Sequence, residues 1–108
     1  MSVAQSSRYN ENSKGSWYSI RTNYGTRTAS GIALDDNIPT IAHKTLPLGT
    51  VVRVTNLSNG RYVVAKVTDR GPYVPNRAVD LSLAAFRQIA NPSQGVIKVN
   101  VRTVAVAR

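Results

Sequence analysis

The chain has no cysteine, a single histidine and only five carboxylate side chains among its 108 residues. Each shortage excludes something. Without cysteine there is no disulfide framework, no thiolate nucleophile and no thiolate metal site. The compartment stays open, because cytosolic and exported chains alike can lack it. A metal site would have to pair His43 with two aspartates, and a lone histidine is more often a positioning or core residue than a ligand. Phe and Trp occur once each, so no aromatic ladder is interleaved with the basic residues, which argues against single-stranded nucleic acid as a partner. No run approaches 18 apolar residues, so nothing reads as a membrane-spanning helix. The phosphate and dinucleotide cradles GxxxxGK[ST] and GxGxxG and the GxSxG elbow are missing too.

What is present is basic and Val-rich. Fourteen Lys and Arg give a net charge of +9. They are scattered, with no run of five, and most read as a solvated face that also draws polyanions. The length fits one domain. Residues 1–14 are polar, lack the apolar core of a signal peptide and read as a disordered leader; residues 15–108 read as the folded domain. Val-rich segments separated by Gly, Asn and Pro indicate a mainly β fold. "GSWYSI" (15–20) is a short strand candidate. Residues 23–31 look like a loop, and 32–50 look irregular, broken by Pro39 and Pro47. "TVVRVTNL" (50–57) and "RYVVAKVTD" (61–69) flank Asn59-Gly60, the strongest hairpin signal in the chain. "DLSLAAFRQIANPSQG" (80–95) carries the helix, with Ser82 or Asp80 as its cap and Asn91-Pro92 as its stop. "VIKVNVRTVAV" (96–106) alternates and then slips phase, which implies a bulge near Arg102-Thr103.

Elimination leaves acid/base chemistry. Glu11 falls in the leader, Asp35-Asp36 read as an Asx-type turn, and Asp80 as a helix cap or an ion pair with Arg77. Asp69 and His43 remain as the best pair. In the strand, Asp69 is in phase with Val63, Ala65 and Val67, so it should point where the small apolar residues point, with the raised pKa that partial desolvation gives a carboxyl. A carboxyl of that kind beside basic donors suits a general acid for glycosidic bond cleavage.

"RTASG" (27–31), "AHKTLPLGTVVRVTNLSNGR" (42–61), "VTDRGPY" (67–73) and "RAVDLSLAA" (77–85) resemble, in order and spacing, the rare lipoprotein A (RlpA) family. The resemblance covers residues 15–104. It implies a six-stranded double-psi β-barrel with one or two short helices. It also implies a bacterial cell-envelope location, periplasmic or secreted, and a lytic transglycosylase acting as a monomer on peptidoglycan glycan strands, with no cofactor or metal. Residue by residue, the family's catalytic aspartate falls on Asp69 and its histidine on His43, while Lys44, Arg70, Tyr73, Ser30 and Asp35 fall along the expected substrate groove. One departure stands out: family members usually carry Glu directly after TASG, and here that position is Ile32. Ile32 motivates the alternative of a non-catalytic glycan-binding module. A hydrolase pairing Asp69 with Asp35 or Asp80 is a third expectation, and a nucleic-acid or protein-interaction role a fourth.

Overall fold

The computed structural model of the chain describes residues 9–18, 39–72 and 77–105. Six strands follow in order: β1 (Asn10–Tyr18), β2 (Thr40–His43), β3 (Val51–Asn56), β4 (Tyr62–Asp69), β5 (Arg77–Ser82) and β6 (Ile97–Ala105). They close into a barrel in the spatial order β1-β5-β2-β4-β3-β6. Two of the pairings, β1 with β5 and β2 with β4, are parallel, and the remaining four are antiparallel. This is the six-stranded double-psi barrel that the resemblance implies.

The barrel interior is narrow, and the sequence fills it with small branched residues. Val52, Val54, Val67, Val79, Val99, Val101, Ile41 and Leu81 are all fully buried. Burying each such side chain stabilises the fold by about 1.5–3 kcal/mol. β3 and β4 show strict alternation over most of their length, the period that puts one face in the core. Gly15 lies where β1 passes over Val79 and Leu81: a Cβ there would sit 3.2 Å from a side-chain atom of each. The helix α1 (Leu83–Ile89) adds Ala85, Phe86 and Ile89 to the same core.

The hairpin expected at Asn59-Gly60 forms as a four-residue loop, 57–60. Asn56 N–H donates to the Arg61 carbonyl at 2.8 Å, and Gly60 takes a left-handed φ of 76°. Asn56 is buried beneath the loop, where its Nδ2 donates to the Ile89 carbonyl at 2.8 Å and its Oδ1 accepts from Ser58 N–H at 2.9 Å.

Several expectations are corrected. The first strand starts at Asn10, not at 15, so residues 10–14 of the supposed leader belong to the barrel. Residues 40–43, read as irregular, form β2. Within 80–95 the helix covers seven residues and Ser82, one of the two expected caps, caps it, whereas Asp80 lies in β5, which ends at Ser82. Asn91-Pro92 then opens a short 3₁₀ turn over Pro92–Gln94. The slip in β6 falls just past its expected place, since Val52 faces Thr103 while Val51 faces Ala105, leaving Val104 as the extra residue, about half exposed.

Candidate active site

β4 was expected to carry Asp69 toward the core. The register shows otherwise. Ile41 faces Val67, but the next residue of β2, Ala42, faces Asp69. Thr68 is therefore a bulged residue, and the bulge turns Asp69 to the phase opposite Val63, Ala65 and Val67. Thr68 itself is buried, and Asp69 sits half-buried at the end of the strand. One of its carboxylate oxygens, Oδ1, accepts from the Arg70 N–H at 2.8 Å. The chain then leaves through Gly71, with φ of 121°, and a cis peptide to Pro72.

Ala42 also faces Asp80 on β5, and Asp80 faces Ser16 on β1. Directly paired residues share a face, so Asp69, Ala42, Asp80 and Ser16 form one row across four strands. Ala42 is the small floor between the two carboxylates. Ser16 Oγ donates to Asp80 Oδ1 and accepts from Arg77 Nη1 at 3.2 Å. Asp80 is thus a strand residue held by Ser16, not a helix cap, and Arg77 reaches that pair through the same hydroxyl.

His43 follows Ala42 and takes the opposite phase, facing Val79. His43 is 2 % exposed. The turn after β2 folds back on it: the backbone N–H groups of Thr45 and Leu46 both donate to Nδ1, each at 3.1 Å. A nitrogen accepting two hydrogen bonds carries a lone pair, so the ring proton resides on Nε2. Burial, the largest influence, lowers the His43 pKa to about 4. The charge of Glu11 pulls it upward, and Arg70 and Lys44 add to the lowering. The imidazole is therefore neutral at pH 7, and Nε2–H is buried with no hydrogen-bond partner among the described residues.

A cleft of about 230 Å³ opens at this point, lined by Tyr9, Glu11, His43, Lys44, Thr45 and Arg77. The Tyr9 ring stands edge-on to His43, centroids 4.8 Å apart, and its hydroxyl donates to Glu11 Oε1. Burial, and then that bond and charge, push the Tyr9 hydroxyl pKa up. A larger groove of about 540 Å³ runs along Glu11–Lys14, Leu57 and Lys98, and shares Glu11 with this cleft.

The structure places the remaining expected site residues as follows. Lys44 is exposed on the cleft wall. Arg70 turns its Nη1 to the His43 and Leu46 carbonyls, at 3.2 and 2.7 Å, and so braces the turn that fixes the imidazole. Tyr73, Ser30 and Asp35 lie outside the described residues, as does Ile32. Tyr9, Glu11, Ser16 and Arg77 are the site residues that sequence reasoning missed. The one available signal, for Tyr9 and Glu11 alone, was their alternation with Ser13, Gly15 and Trp17 leading into β1. Among the described residues, no group of three His, Cys, Asp or Glu could hold a metal ion.

Residues 10–101 match the family model described as lytic transglycolase. The chain belongs to the lytic transglycolase family. Within that family it is 43% identical over 104 residues to the endolytic peptidoglycan transglycosylase RlpA of Pasteurella multocida, covering 96% of this chain and 35% of that protein. It is 49% identical over 81 residues to a probable endolytic peptidoglycan transglycosylase RlpA of Synechocystis, covering 75% of this chain and 25% of that one. The chain thus spans about a third or less of the length of these two relatives. Among solved structures, the Streptomyces papain inhibitor superposes with a TM-score of 0.71 at 24% identity, over 89% of this chain and 94% of that one. At that identity the likeness speaks for the barrel alone. No helix of the described residues is long and apolar enough to cross a membrane.

Proposed function

We propose that this lytic transglycolase barrel cleaves the bond between N-acetylmuramic acid and N-acetylglucosamine in peptidoglycan, with Asp69 as general acid and then base. One observation carries the reading: the Thr68 bulge delivers Asp69, half-buried, to the strand end beside Ala42, in one row with Asp80 and Ser16, while His43 on the opposite phase lines an open cleft at the same end of β2.

Asp69 in its protonated form donates to the glycosidic oxygen as the bond to the muramoyl C1 breaks. The leaving sugar departs with that proton as its new hydroxyl. The muramoyl ring passes through an oxocarbenium-like state. Asp69, now a carboxylate, removes the proton from the muramoyl C6 hydroxyl, whose oxygen closes on C1 to give the 1,6-anhydro ring. Asp69 regains its proton and no water is consumed. His43 does not exchange protons here, because an imidazole with a pKa near 4 and Nδ1 tied to two amides is a fixed donor. Lys44 and Arg77 line the cleft as partners for the acidic groups of the glycan. Ser30, Asp35 and Tyr73 complete the groove in this reading. The substrate puts the site of action in the bacterial cell envelope, periplasmic or secreted, with the barrel acting as a monomer.

The test is release of soluble fragments from peptidoglycan stripped of stem peptides. Asp69→Asn should lower cleavage by about 10²–10⁴-fold, the usual contribution of a general acid, while glycan pull-down is retained. Full activity in that variant would remove Asp69 from the mechanism. Binding without cleavage by the unaltered chain would favour the glycan-binding module.

A second reading has its own observation. Asp69 and Asp80 lie on one face with Ala42 between them, two strand spacings or about 9–10 Å apart. That approaches the roughly 6.5–9.5 Å separation of carboxyl groups in inverting glycosidases. A hydrolase of that kind would leave reducing ends, and Asp80→Asn would abolish it.

A further inference from the structure

The residues that line the Tyr9–His43 cleft come from β1, β2, β5 and the turn after β2. In the ring of strands, β4, β3 and β6 make up the opposite half of the barrel wall. The outward phase of that half carries an arrangement that folding alone does not explain. Arg53 on β3 stands directly opposite Arg102 on β6, and Val64 on β4 completes the row. Like charges directly opposite one another destabilise a strand pair. Lys66 on β4 and Lys98 on β6 share this phase and are exposed. β3 and β6 contain no carboxylate, and β4 has only Asp69, at its far end beyond the bulge. Glu11 on the neighbouring β1 faces Val101, on the inward phase of β6, and accepts from the Tyr9 hydroxyl. The fold thus keeps a row of cations in mutual repulsion with no acid of its own strands among them.

Apolar side chains are set among these cations. Tyr62 and Val64 on β4 and Val104 at the β6 bulge are each about half exposed. Val51 on β3 lies between Lys66 and Ala105, and so joins Val64 to the Val104 bulge. A hollow of about 350 Å³ runs along Val51, Val64 and Lys66. The Arg53 guanidinium lies over the Tyr62 ring, 5.0 Å from its centroid, which holds a cation and an aromatic face together. A dissolved polyanion needs the cations alone. A lipid surface uses both sets: basic groups meet the phosphates, and short apolar side chains enter the headgroup layer.

We propose that the outward face of β4, β3 and β6 docks the barrel on an anionic phospholipid surface. Arg53, Arg102, Lys66 and Lys98 meet lipid phosphates, and Tyr62, Val64 and Val104 enter the headgroup layer. Docked in this way, the barrel holds the Tyr9–His43 cleft on the side turned away from the lipid.

The experiment is co-sedimentation of the full chain with vesicles of phosphatidylglycerol and phosphatidylcholine in equal parts, beside vesicles of phosphatidylcholine alone. Binding should be confined to the anionic vesicles. Arg102→Glu should lower it about fivefold or more, since a basic residue near such a surface is worth roughly 1 kcal/mol. The same variant places a carboxylate opposite Arg53, so its urea unfolding midpoint should hold or rise, which separates lost binding from lost folding. Arg87→Glu makes the same change in net charge at an exposed position on α1 and should lower binding by less than about twofold. Val64→Ser with Val104→Ser should lower it several-fold with every charge intact. Equal binding to both kinds of vesicle, or equal losses in Arg87→Glu and Arg102→Glu, overturns the docking face. Binding that follows the charges but ignores the two serine substitutions also overturns it, and marks a surface for a dissolved polyanion instead.

Discussion

His43 shows how far one residue's protonation can be read from its surroundings. Two amide donors on Nδ1 fix the tautomer, and burial moves the pKa from its ordinary 6.5 to about 4. The sign of the stability effect follows. Above about pH 6.5 the ring is neutral in both folded and unfolded chains. Between 6.5 and 4 the unfolded chain binds a proton that the folded one refuses, so stability falls as pH falls. The window amounts to on the order of 3 kcal/mol. Urea unfolding at pH 7 and pH 4.5 should show that loss, and His43→Gln should flatten the part of the curve between 6.5 and 4. An unchanged slope in the variant would mean that another group controls this range. Asp69 and His43 were both legible as candidates, because few other side chains in the chain can do acid/base work and both stand in long ordered motifs. Their partners were not. Tyr9 and Glu11 sit in "YNENSK", a strand whose inward positions are polar because it passes the barrel rim, and hydropathy alternation cannot signal such a strand.

Among the elements, β3, β4 and the hairpin between them were readable because Val alternation and Asn59-Gly60 act locally. β2 and β5 were not. β2 has four residues between Pro39 and a turn, too few for a period to declare itself, and β5 runs straight into the helix that its last residue caps. Ser82 serves both: its Oγ accepts from Ala85 N–H at 3.2 Å as the cap and from Thr40 N–H at 3.0 Å on β2. Ser82→Ala should therefore lower stability by about 1–2 kcal/mol, at the upper end for a cap, as read by chemical denaturation. A loss below a few tenths would show that neither bond matters. The bulge in β4 is the element-scale feature with the largest functional weight. Strand phase alone pointed Asp69 at the core; one extra residue at Thr68 moves it to the row that holds Asp80. Register is set by pairing with β2, a strand distant in sequence, so no local pattern contains it.

For the whole molecule, closure of the six strands does two things. It buries a Val-filled interior that makes the scaffold rigid, and it brings the end of β4, the end of β2 and the start of β1 to one rim, where the cleft lies. The net charge of +9 gives the chain a field suited to an anionic polymer. The central claim is that Asp69 regains its proton from the C6 hydroxyl, without water. The most direct measurement is mass spectrometry of the glycan termini released from stripped peptidoglycan, with Asp69→Asn alongside. A transglycosylase releases fragments ending in 1,6-anhydro-muramic acid, lighter by one water than hydrolytic products and absent with the variant. Fragments with reducing ends, lost on Asp80→Asn, would contradict the claim.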